Sequence, residues 1–249
     1  MSGITDWYRE WFDSPYYHTL YFERDGKEAA AFIHLLLSYL HPAPGTRMLD
    51  LASGRGRHAR ILAAEGFDVT GIDLAAGSIA YALRYEQPNL HFYRHDMRQT
   101  LYTNYFDYVF NIFTSFGYFA TQREHTNTIR AVSLSLRTGG TFVLDYLNVR
   151  YAEDHLVSHS AREIDGIHFH LTRWVDEKYF YKKILIEDKT RPAPLEFTER
   201  VARFTLDDFR MMFAGQGLQI GQVFGDYQLG TYDDRNSPRL LMIAKKMEK

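Results

Sequence analysis

Residues 47–79 constrain the fold of this chain more than any other stretch. They read RMLDLASGRGRHARILAAEGFDVTGIDLAAGSI: an apolar strand, a glycine loop, a helix, and a second strand that ends in an acid. This order is typical of a βαβ unit, in which a helix connects two parallel strands. Parallel strands are covered by such helices on both faces. The stretch therefore predicts an α/β fold built on a parallel sheet.

The alternation of strand and helix continues to the middle of the chain. Strands are predicted at residues 46–51, 68–73, 89–96, 106–113 and 141–148. The helix before the last of them opens with a capping box of Thr121 and Glu124 and is predicted to close at residues 137–140. Between about residues 150 and 203 apolar residues alternate with polar ones, which is typical of antiparallel strands with one solvent-exposed face. A helix and two strands follow, the last able to insert antiparallel into the sheet.

These patterns predict a Rossmann-like sheet of seven mostly parallel strands with helices on both faces, an N-terminal helical cap and an inserted antiparallel β region. The predicted divisions are a helical cap over the site at 1–44, a cofactor-binding core at 45–149, an inserted β lid or dimerisation element at 150–204, and a C-terminal completion of the core at 205–249. We expect a monomer or a homodimer.

Composition excludes several classes of function. The net charge of −2 provides no positive electrostatic potential that would attract a nucleic-acid backbone. The absence of cysteine excludes disulfides, thiolate zinc sites, iron–sulfur clusters and cysteine nucleophiles. The first residues lack a signal-peptide pattern, and the longest apolar stretch, AAAFIHLLLSYL, is too short to span a bilayer. We therefore expect a soluble cytoplasmic protein that binds neither nucleic acid nor membrane.

The histidines do not predict a metal site. His168 and His170 share one face of a predicted strand, but no third ligand accompanies them. His155 and His159 are four residues apart, yet AEDHLVSHSARE lacks the acid that a metalloprotease helix requires. His58 follows the glycine loop and could touch a ligand, although a solvated helix start is the commoner position. No metal is expected.

The glycine loop itself fits a dinucleotide cofactor. Gly54, Gly56 and Ala59 match the G-x-G-x-x-G/A pattern, and Asp73 lies 19 residues after Gly54, close to the spacing of the acid that binds a ribose. Glycine lets the backbone approach a ligand, and the helix N-terminus offers N–H groups to an anion. An NAD-dependent oxidoreductase is therefore one interpretation of the loop.

Three further features point away from a dinucleotide. Asp50 ends the first strand, where a cofactor with a positive amino group and a sulfonium needs a carboxylate. Asp96 and Met97 end the third strand, where an acid can accept from an exocyclic amine and a thioether can cover an adenine ring. The third feature is the helix and two strands that close the predicted fold. Taken alone, the two acidic features also have structural explanations: Asp50 can be a helix cap or a loop brace, and Asp96 and Met97 can be a strand end and a core methionine.

Taken together, six segments resemble the class I S-adenosylmethionine-dependent methyltransferases: LDLASGRGRHA, TGIDLAAGSIAYA, HDM, FDYVFNIFTSFGYF, LRTGGTFVLDYLN and SPRLLMIAKK. The resemblance covers about residues 45–148 and 205–246. It is nearest to the small-molecule branch that includes glycine and amino-sugar N-methyltransferases. It implies S-adenosylmethionine as cofactor, S-adenosylhomocysteine as product, and a small molecule as methyl acceptor, with nitrogen favoured over oxygen.

The resemblance also implies a set of cofactor-binding residues. They are Asp50, Ala52, Ser53, Gly54, Gly56, Asp73, Leu74, Asp96, Met97, Phe113 and Tyr21. In the family pattern Asp50 orients the methionine amino group through the loop, and Asp73 takes both ribose hydroxyls. Asp96 and Met97 match the residues at the adenine. The chain departs from the family at Ala52, where glycine is usual.

The implied reaction is an in-line displacement, so the protein must mainly align the nucleophile and exclude water. The catalytic candidates are Tyr118 after the fourth strand, Asn148 at the end of the fifth, and Tyr17 in SPYYHTLYFERD, with Ser115 and Tyr146 nearby. Phenol oxygens and aromatic faces can orient an amine and favour a cationic product. Such aromatic side chains can equally serve only to pack the N-terminal segment against the core.

Two alternative functions stay open from sequence. One is an NAD-dependent oxidoreductase that uses the same loop. The other is a non-catalytic protein that binds S-adenosylmethionine or S-adenosylhomocysteine as a sensor or partner subunit. Ala52 and the lack of a clear general base are compatible with the second alternative.

Overall fold

The main sheet of the molecule has seven strands and is mostly parallel. The structure, a computed structural model, describes residues 7–21 and 26–248, without the side chains of residues 26–28. The strands are β1 (Arg47–Leu51), β2 (Asp68–Asp73), β3 (Leu90–Arg94), β4 (Phe106–Asn111), β5 (Leu136–Leu147), β10 (Leu218–Phe224) and β11 (Arg239–Lys246). Their order is β10-β11-β5-β4-β1-β2-β3, and β11 runs antiparallel to both its neighbours. The predicted sheet and the antiparallel insertion of the last strand are confirmed.

Helices cover both faces of this sheet. They are α3 (Gly26–Leu40), α4 (Arg57–Ala64), α5 (Ala76–Ala82), α6 (Gln122–Ser135) and α8 (Leu206–Ala214). α6 and α8 pack on one face, where Ile129 and Phe209 join the buried cluster, while α3, α4 and α5 pack on the other, with Phe32 and Leu62. No helix within the described ranges is long and apolar enough to cross a membrane.

A second, antiparallel sheet of four strands forms the inserted region. A short helix, α7 (Val149–Asp154), leads into β6 (His159–Ile164), β7 (Ile167–Val175), β8 (Tyr179–Glu187) and β9 (Leu195–Ala202), which pair in that order. One face is apolar and packs against α1 (Trp7–Phe12) and α2 (Pro15–Leu20). The insertion and the N-terminal cap therefore share a small core.

Several boundaries differ from the sequence-based prediction. The capping box of Thr121 and Glu124 is present, but α6 ends at Ser135 and β5 starts at once with Leu136, instead of after residues 137–140. The early start follows from pairing, because Leu136 lies beside Phe106 of β4. β4 is shorter than predicted, since the chain turns into left-handed conformations beyond Ile112.

Candidate functional site

One large cavity opens at the carboxyl ends of β1 to β4. Its volume is about 840 Å³, within the roughly 300–1,000 Å³ usual for small-molecule sites. The floor comes from the loops that follow these strands, and the roof comes from α1, α2, β8 and β9. Ligands of open α/β sheets bind at this edge. The fold therefore places a covered pocket where a ligand is expected.

The glycine loop between β1 and α4 forms one wall. Ala52, Ser53 and Gly54 line the cavity. Ala52 and Gly54 have positive φ angles, 62° and 55°, so the loop is coiled in a way that favours glycine. A Cβ atom added at Gly54 would have no neighbour within 4 Å, which leaves open space beside the backbone.

Gly56 has a different role from Gly54. It starts α4 with a φ of 77° and does not line the cavity. A Cβ atom there would lie 2.5 Å from Cζ of Phe92 in β3. Glycine at this position is therefore required by the packing of α4 onto the sheet, and not by direct exposure to a ligand.

Asp73 ends β2 and lines the cavity beside Leu74. Its Oδ2 accepts a hydrogen bond of 2.8 Å from the backbone N–H of Gly54, and its Oδ1 accepts one of 2.8 Å from that of Ala75. Burial raises the pKa of this carboxyl, against the opposing effect of the backbone donors. Asp73 is therefore fixed in position and couples the glycine loop to the end of β2.

Asp50 lies beneath the loop and not on the cavity surface. Its side chain is buried, and its Oδ2 accepts a hydrogen bond of 3.1 Å from the backbone N–H of Ala59 in the first turn of α4. Burial raises its pKa to about 7, because the charged form is poorly solvated there. Its observed contact is that of a loop brace, so any effect on a ligand passes through the loop.

Asp96 and Met97 both line the cavity after β3. The Asp96 carboxylate is held by Arg98, with Nε to Oδ1 at 3.0 Å and Nη2 to Oδ2 at 2.6 Å. Arg98 also pairs with Glu124 of the capping box at 2.5 Å. Sequence reasoning missed Arg98, whose only signal was its position two residues after Asp96.

Phe113 and Thr114 form a left-handed turn after β4, with φ angles of 60° and 58°. Both line the cavity. The turn is held by buried Asp145, whose Oδ2 accepts from the N–H of Phe113 at 2.7 Å and from the hydroxyl of Tyr227 at 3.0 Å. Arg239 binds Asp145 Oδ1 through Nε at 2.8 Å and Thr114 Oγ1 through Nη2 at 2.7 Å. Asp145 and Arg239 were not predicted, because their contacts join elements far apart in sequence.

His58 is buried, contrary to the expectation of a solvated helix start. It lines the cavity, and its ring stacks on Phe113 with centroids 5.2 Å apart. Burial lowers its pKa to about 3, with a further contribution from Arg57. The imidazole is therefore neutral at physiological pH.

Aromatic side chains of the cap close the cavity from above. The ring centroid of Phe12 lies 5.0 Å from that of Tyr17 and 5.1 Å from that of Tyr118. The ring centroids of Tyr17 and Tyr21 are 4.9 Å apart. The Tyr118 hydroxyl donates to the carbonyl oxygen of Thr114. The structure thus brings two catalytic candidates, Tyr17 and Tyr118, to the same lid, and places Tyr21 next to them.

Asn148 and Tyr146 are not among the cavity-lining residues. The Asn148 amide donates to the carbonyl oxygens of Asp233 at 3.2 Å, Asp234 at 3.0 Å and Ser237 at 2.8 Å. The Tyr146 hydroxyl donates to the carbonyl oxygen of Ala202. The Asn148 side chain therefore fixes the loop before β11, and a catalytic role for it stays a prediction.

The second sheet contributes charged residues to the roof that the sequence did not single out. Lys182 of β8 and Glu199 of β9 line the cavity. Glu199 Oε1 accepts 2.7 Å hydrogen bonds from Trp11 Nε1 and from the hydroxyl of Tyr21. The available signal was two charges on the apolar face of alternating strands.

A family model and several known proteins are similar to this chain. Residues 48–140 match the model of a family described as a methyltransferase domain. YqeM of Bacillus subtilis (strain 168), which is named as a methyltransferase, is 28% identical over 214 residues, or 80% of this chain and 84% of that protein. Glycine N-methyltransferase of Oryctolagus cuniculus is 28% identical over 141 residues, or 49% of this chain and 46% of that protein. The X-ray structure of the sugar N-methyltransferase KedS8 from Streptoalloteichus sp ATCC 53650 has a TM-score of 0.73 at 21% identity, covering 93% of each chain.

The family match and the fold agree with each other. The matched residues include β1 to β4 and the loops that line the cavity floor. The structural similarity extends over the antiparallel sheet as well. The dinucleotide interpretation of the glycine loop is therefore set aside. Residues 48–140 match a methyltransferase domain, and the chain shares the fold of the solved S-adenosylmethionine-dependent methyltransferases.

Proposed function

We propose that the cavity binds S-adenosylmethionine and that the protein transfers its methyl group to the nitrogen of a small molecule. The loop fits such a ligand, because Gly54 leaves open space beside its backbone. Asp73 would hold the ribose hydroxyls, since its carboxylate is already fixed by the N–H groups of Gly54 and Ala75. Asp50 would act from below, by bracing the loop through Ala59.

The adenine end is proposed to lie between Leu74, Asp96 and Met97. These residues follow β2 and β3 at the same edge of the sheet and line one cavity. Arg98 donates hydrogen bonds to both oxygens of the Asp96 carboxylate, so the orientation of the carboxylate is set before a ligand arrives. A fixed carboxylate suits recognition of an exocyclic amine, because little side-chain entropy is lost on binding.

The methionine end is proposed to contact Ala52, Ser53 and Phe113. The left-handed turn at Phe113 lines the cavity, and Asp145 holds that turn in place. Backbone held in sparsely populated conformations is common at ligand sites, where surrounding contacts stabilise it. Tyr21 would close this end from the cap, since it lines the same cavity.

Bound S-adenosylmethionine supplies a methyl group that is activated by its sulfonium. The task of the protein is to align the acceptor and to exclude water. Tyr17 and Tyr118 would do both, because their rings pack around Phe12 in the lid. Aromatic faces also favour a cationic product nitrogen. The N-methyltransferases among the similar proteins support nitrogen over oxygen as the acceptor.

One observation carries this proposal. The glycine loop, Asp73, the Asp96–Met97 pair and Phe113, which are spread over 62 positions of the chain, all line a single cavity under an aromatic lid. That enclosure suits a small acceptor, and it disfavours a protein or nucleic-acid substrate, which needs an open groove.

The test is methyl transfer from S-adenosylmethionine labelled with carbon-13 at the methyl group. The protein is incubated with a panel of primary amines and matched alcohols, and the labelled product is identified by NMR. We expect label on nitrogen, and a loss of rate of about tenfold or more for Tyr118→Leu, which removes the aromatic ring from the lid. Tyr102→Leu, at a position 40% exposed, is the control. Label on oxygen alone, or cofactor binding without turnover, would contradict the proposal.

A further inference from the structure

An ion pair interrupts the apolar face of the second sheet where that face meets the cavity. Ile184 and Ile186 of β8 and Phe197 of β9 belong to the hydrophobic cluster shared with the cap. Lys182 and Glu199 continue the same face, because each lies two residues further along its strand. They are paired directly across the two strands, and both line the cavity.

This position is costly for charged residues. Both side chains are only 16% exposed. A buried ion pair gains little over a well-packed apolar pair, because both charges lose their hydration. An apolar pair would extend the existing cluster without that cost. A polar ligand beside this ion pair would offset part of that cost.

The two oxygens of Glu199 have different surroundings. Oε1 accepts the hydrogen bonds from Trp11 and Tyr21, which fix the carboxylate. Oε2 lies 3.5 Å from Nζ of Lys182, which is longer than the roughly 2.7–3.2 Å of a normal N–H···O hydrogen bond. Oε2 therefore keeps the capacity to accept from a ligand. Lys182 also donates to the Tyr21 hydroxyl, so its ammonium group is held at the same wall.

We propose that Lys182 and Glu199 form the subsite that binds the methyl acceptor. Glu199 Oε2 accepts a hydrogen bond from the N–H of the acceptor amine, and Lys182 Nζ donates to an oxygen on the neighbouring carbon. The class of acceptor that fits is therefore a vicinal amino alcohol or an α-amino acid. This inference rests on the proposed function, because it names the substrate class of the same cavity.

The same carboxylate also ties the cap to the second sheet, through Trp11 and Tyr21. A purely structural role must therefore be separated from a role in acceptor binding. Glu199→Gln is suited to this purpose, because its amide oxygen can still accept from Trp11 and Tyr21 while the charge is removed. Lys182→Met keeps most of the aliphatic stem and removes the ammonium group.

Matched controls lie on the opposite face of the same strands. Lys183 and Glu196 form an ion pair of 2.8 Å, with side chains 42% and 53% exposed. Glu196→Gln and Lys183→Met repeat the two chemical changes away from the cavity. They should leave activity unchanged.

The probes are trans-2-aminocyclohexanol, D-glucosamine and glycine, with cyclohexylamine as the amine that lacks a neighbouring oxygen. Initial rates of methyl transfer give kcat and KM, and calorimetric titration with S-adenosylhomocysteine reports the cofactor site. We expect a preference over cyclohexylamine in the wild type, and a KM for the preferred probe that rises about tenfold or more in Glu199→Gln. Lys182→Met should lose the preference itself. Affinity for S-adenosylhomocysteine should stay close to that of the wild type in both, because the Tyr21 hydroxyl keeps an oxygen of residue 199 as its acceptor.

The subsite is refuted if Glu199→Gln keeps the wild-type KM, or if the wild type methylates cyclohexylamine as well as the vicinal probes or methylates none of the vicinal probes. Should Glu199→Gln fail to fold, Lys182→Met decides alone by its effect on the preference. Failure of the wild type to bind S-adenosylhomocysteine would instead overturn the proposed function, and the two failures are therefore distinguishable.

Discussion

Ala52 occupies a left-handed backbone conformation in which glycine is the usual residue. Its φ is 62°, and it lines the cavity at the tip of the glycine loop. The Cβ atom of an L-residue in this conformation costs about 1–2 kcal/mol, because it approaches the neighbouring carbonyl oxygen. The loop therefore carries strain at the point where the proposed ligand lies.

We predict that Ala52→Gly raises the free energy of unfolding. The relief of strain is partly offset by the larger backbone entropy of glycine in the unfolded chain, which leaves a gain of up to about 1 kcal/mol. Ala80→Gly, at an exposed right-handed position inside α5, is the matched control and should lose about 1 kcal/mol. Urea denaturation measures both. An equal loss in the two variants would show that Ala52 is not strained.

The cavity-lining residues that belong to a local motif were predictable, while the residues that hold them in place were not. Asp73 and the Asp96–Met97 pair follow strands at spacings that the sequence reveals, and they line the cavity. Asp145 and Arg239 act on Phe113 and Thr114 through contacts that span up to 125 positions. Such contacts depend on strand order, which the local pattern of residues does not specify.

At the scale of elements, the N-terminal cap is attached to the second sheet by a shared hydrophobic cluster and by hydrogen bonds to Glu199. Buried Trp11 of α1 packs on Phe197 of β9 with ring centroids 4.8 Å apart and donates to Glu199. A helical N-terminal segment was predicted and is present, but helix α1 within it was not predicted. Strand β6 was also missed, since its HSAREI sequence is mostly exposed and shows no apolar alternation.

We predict that Trp11→Phe loosens the cap without unfolding the core. The variant loses a hydrogen bond to a charged group, worth about 1.5–3 kcal/mol, together with part of the ring packing. Amide hydrogen exchange in residues 7–20 should therefore accelerate about tenfold or more, since about 1.4 kcal/mol corresponds to a factor of ten. Exchange in β1, β4 and β5 should not change.

The control for this prediction is Trp174→Phe. Trp174 is 40% exposed and stacks on Tyr181, with centroids 5.0 Å apart, on the outer face of the same sheet. If both variants leave the exchange of residues 7–20 at the wild-type rate, the contact between Trp11 and Glu199 does not hold the cap.

At the scale of the whole molecule, two sheets enclose the cavity, and two histidines are buried: His58 lines the cavity and His125 lies in the core. His125 packs among Phe116, Phe119 and Phe204, and burial lowers its pKa to about 4 from a usual value of 6.5. Between these two pH values the unfolded chain binds a proton that the folded chain does not. The free energy of unfolding therefore falls as the pH decreases from 6.5 to 4.

We predict that His125→Phe reduces this acid sensitivity. The contribution of one such histidine is at most roughly 3.5 kcal/mol over that range, at about 1.4 kcal/mol per pH unit. The variant should lose less stability than the wild type between pH 6.5 and 4, as measured by urea denaturation at each pH. His159→Gln, at an exposed position, controls for the removal of a histidine. An identical pH profile for His125→Phe and the wild type would contradict the assignment.

The most direct test of the central claim is calorimetric titration with S-adenosylhomocysteine and, separately, with NADH. We expect S-adenosylhomocysteine to bind with a dissociation constant of about 1 μM and NADH to show no saturable binding. Asp73→Asn should weaken the first by about tenfold or more, while Asp68→Asn, at the other end of β2, should not. Saturable binding of NADH with no response to S-adenosylhomocysteine would contradict the account.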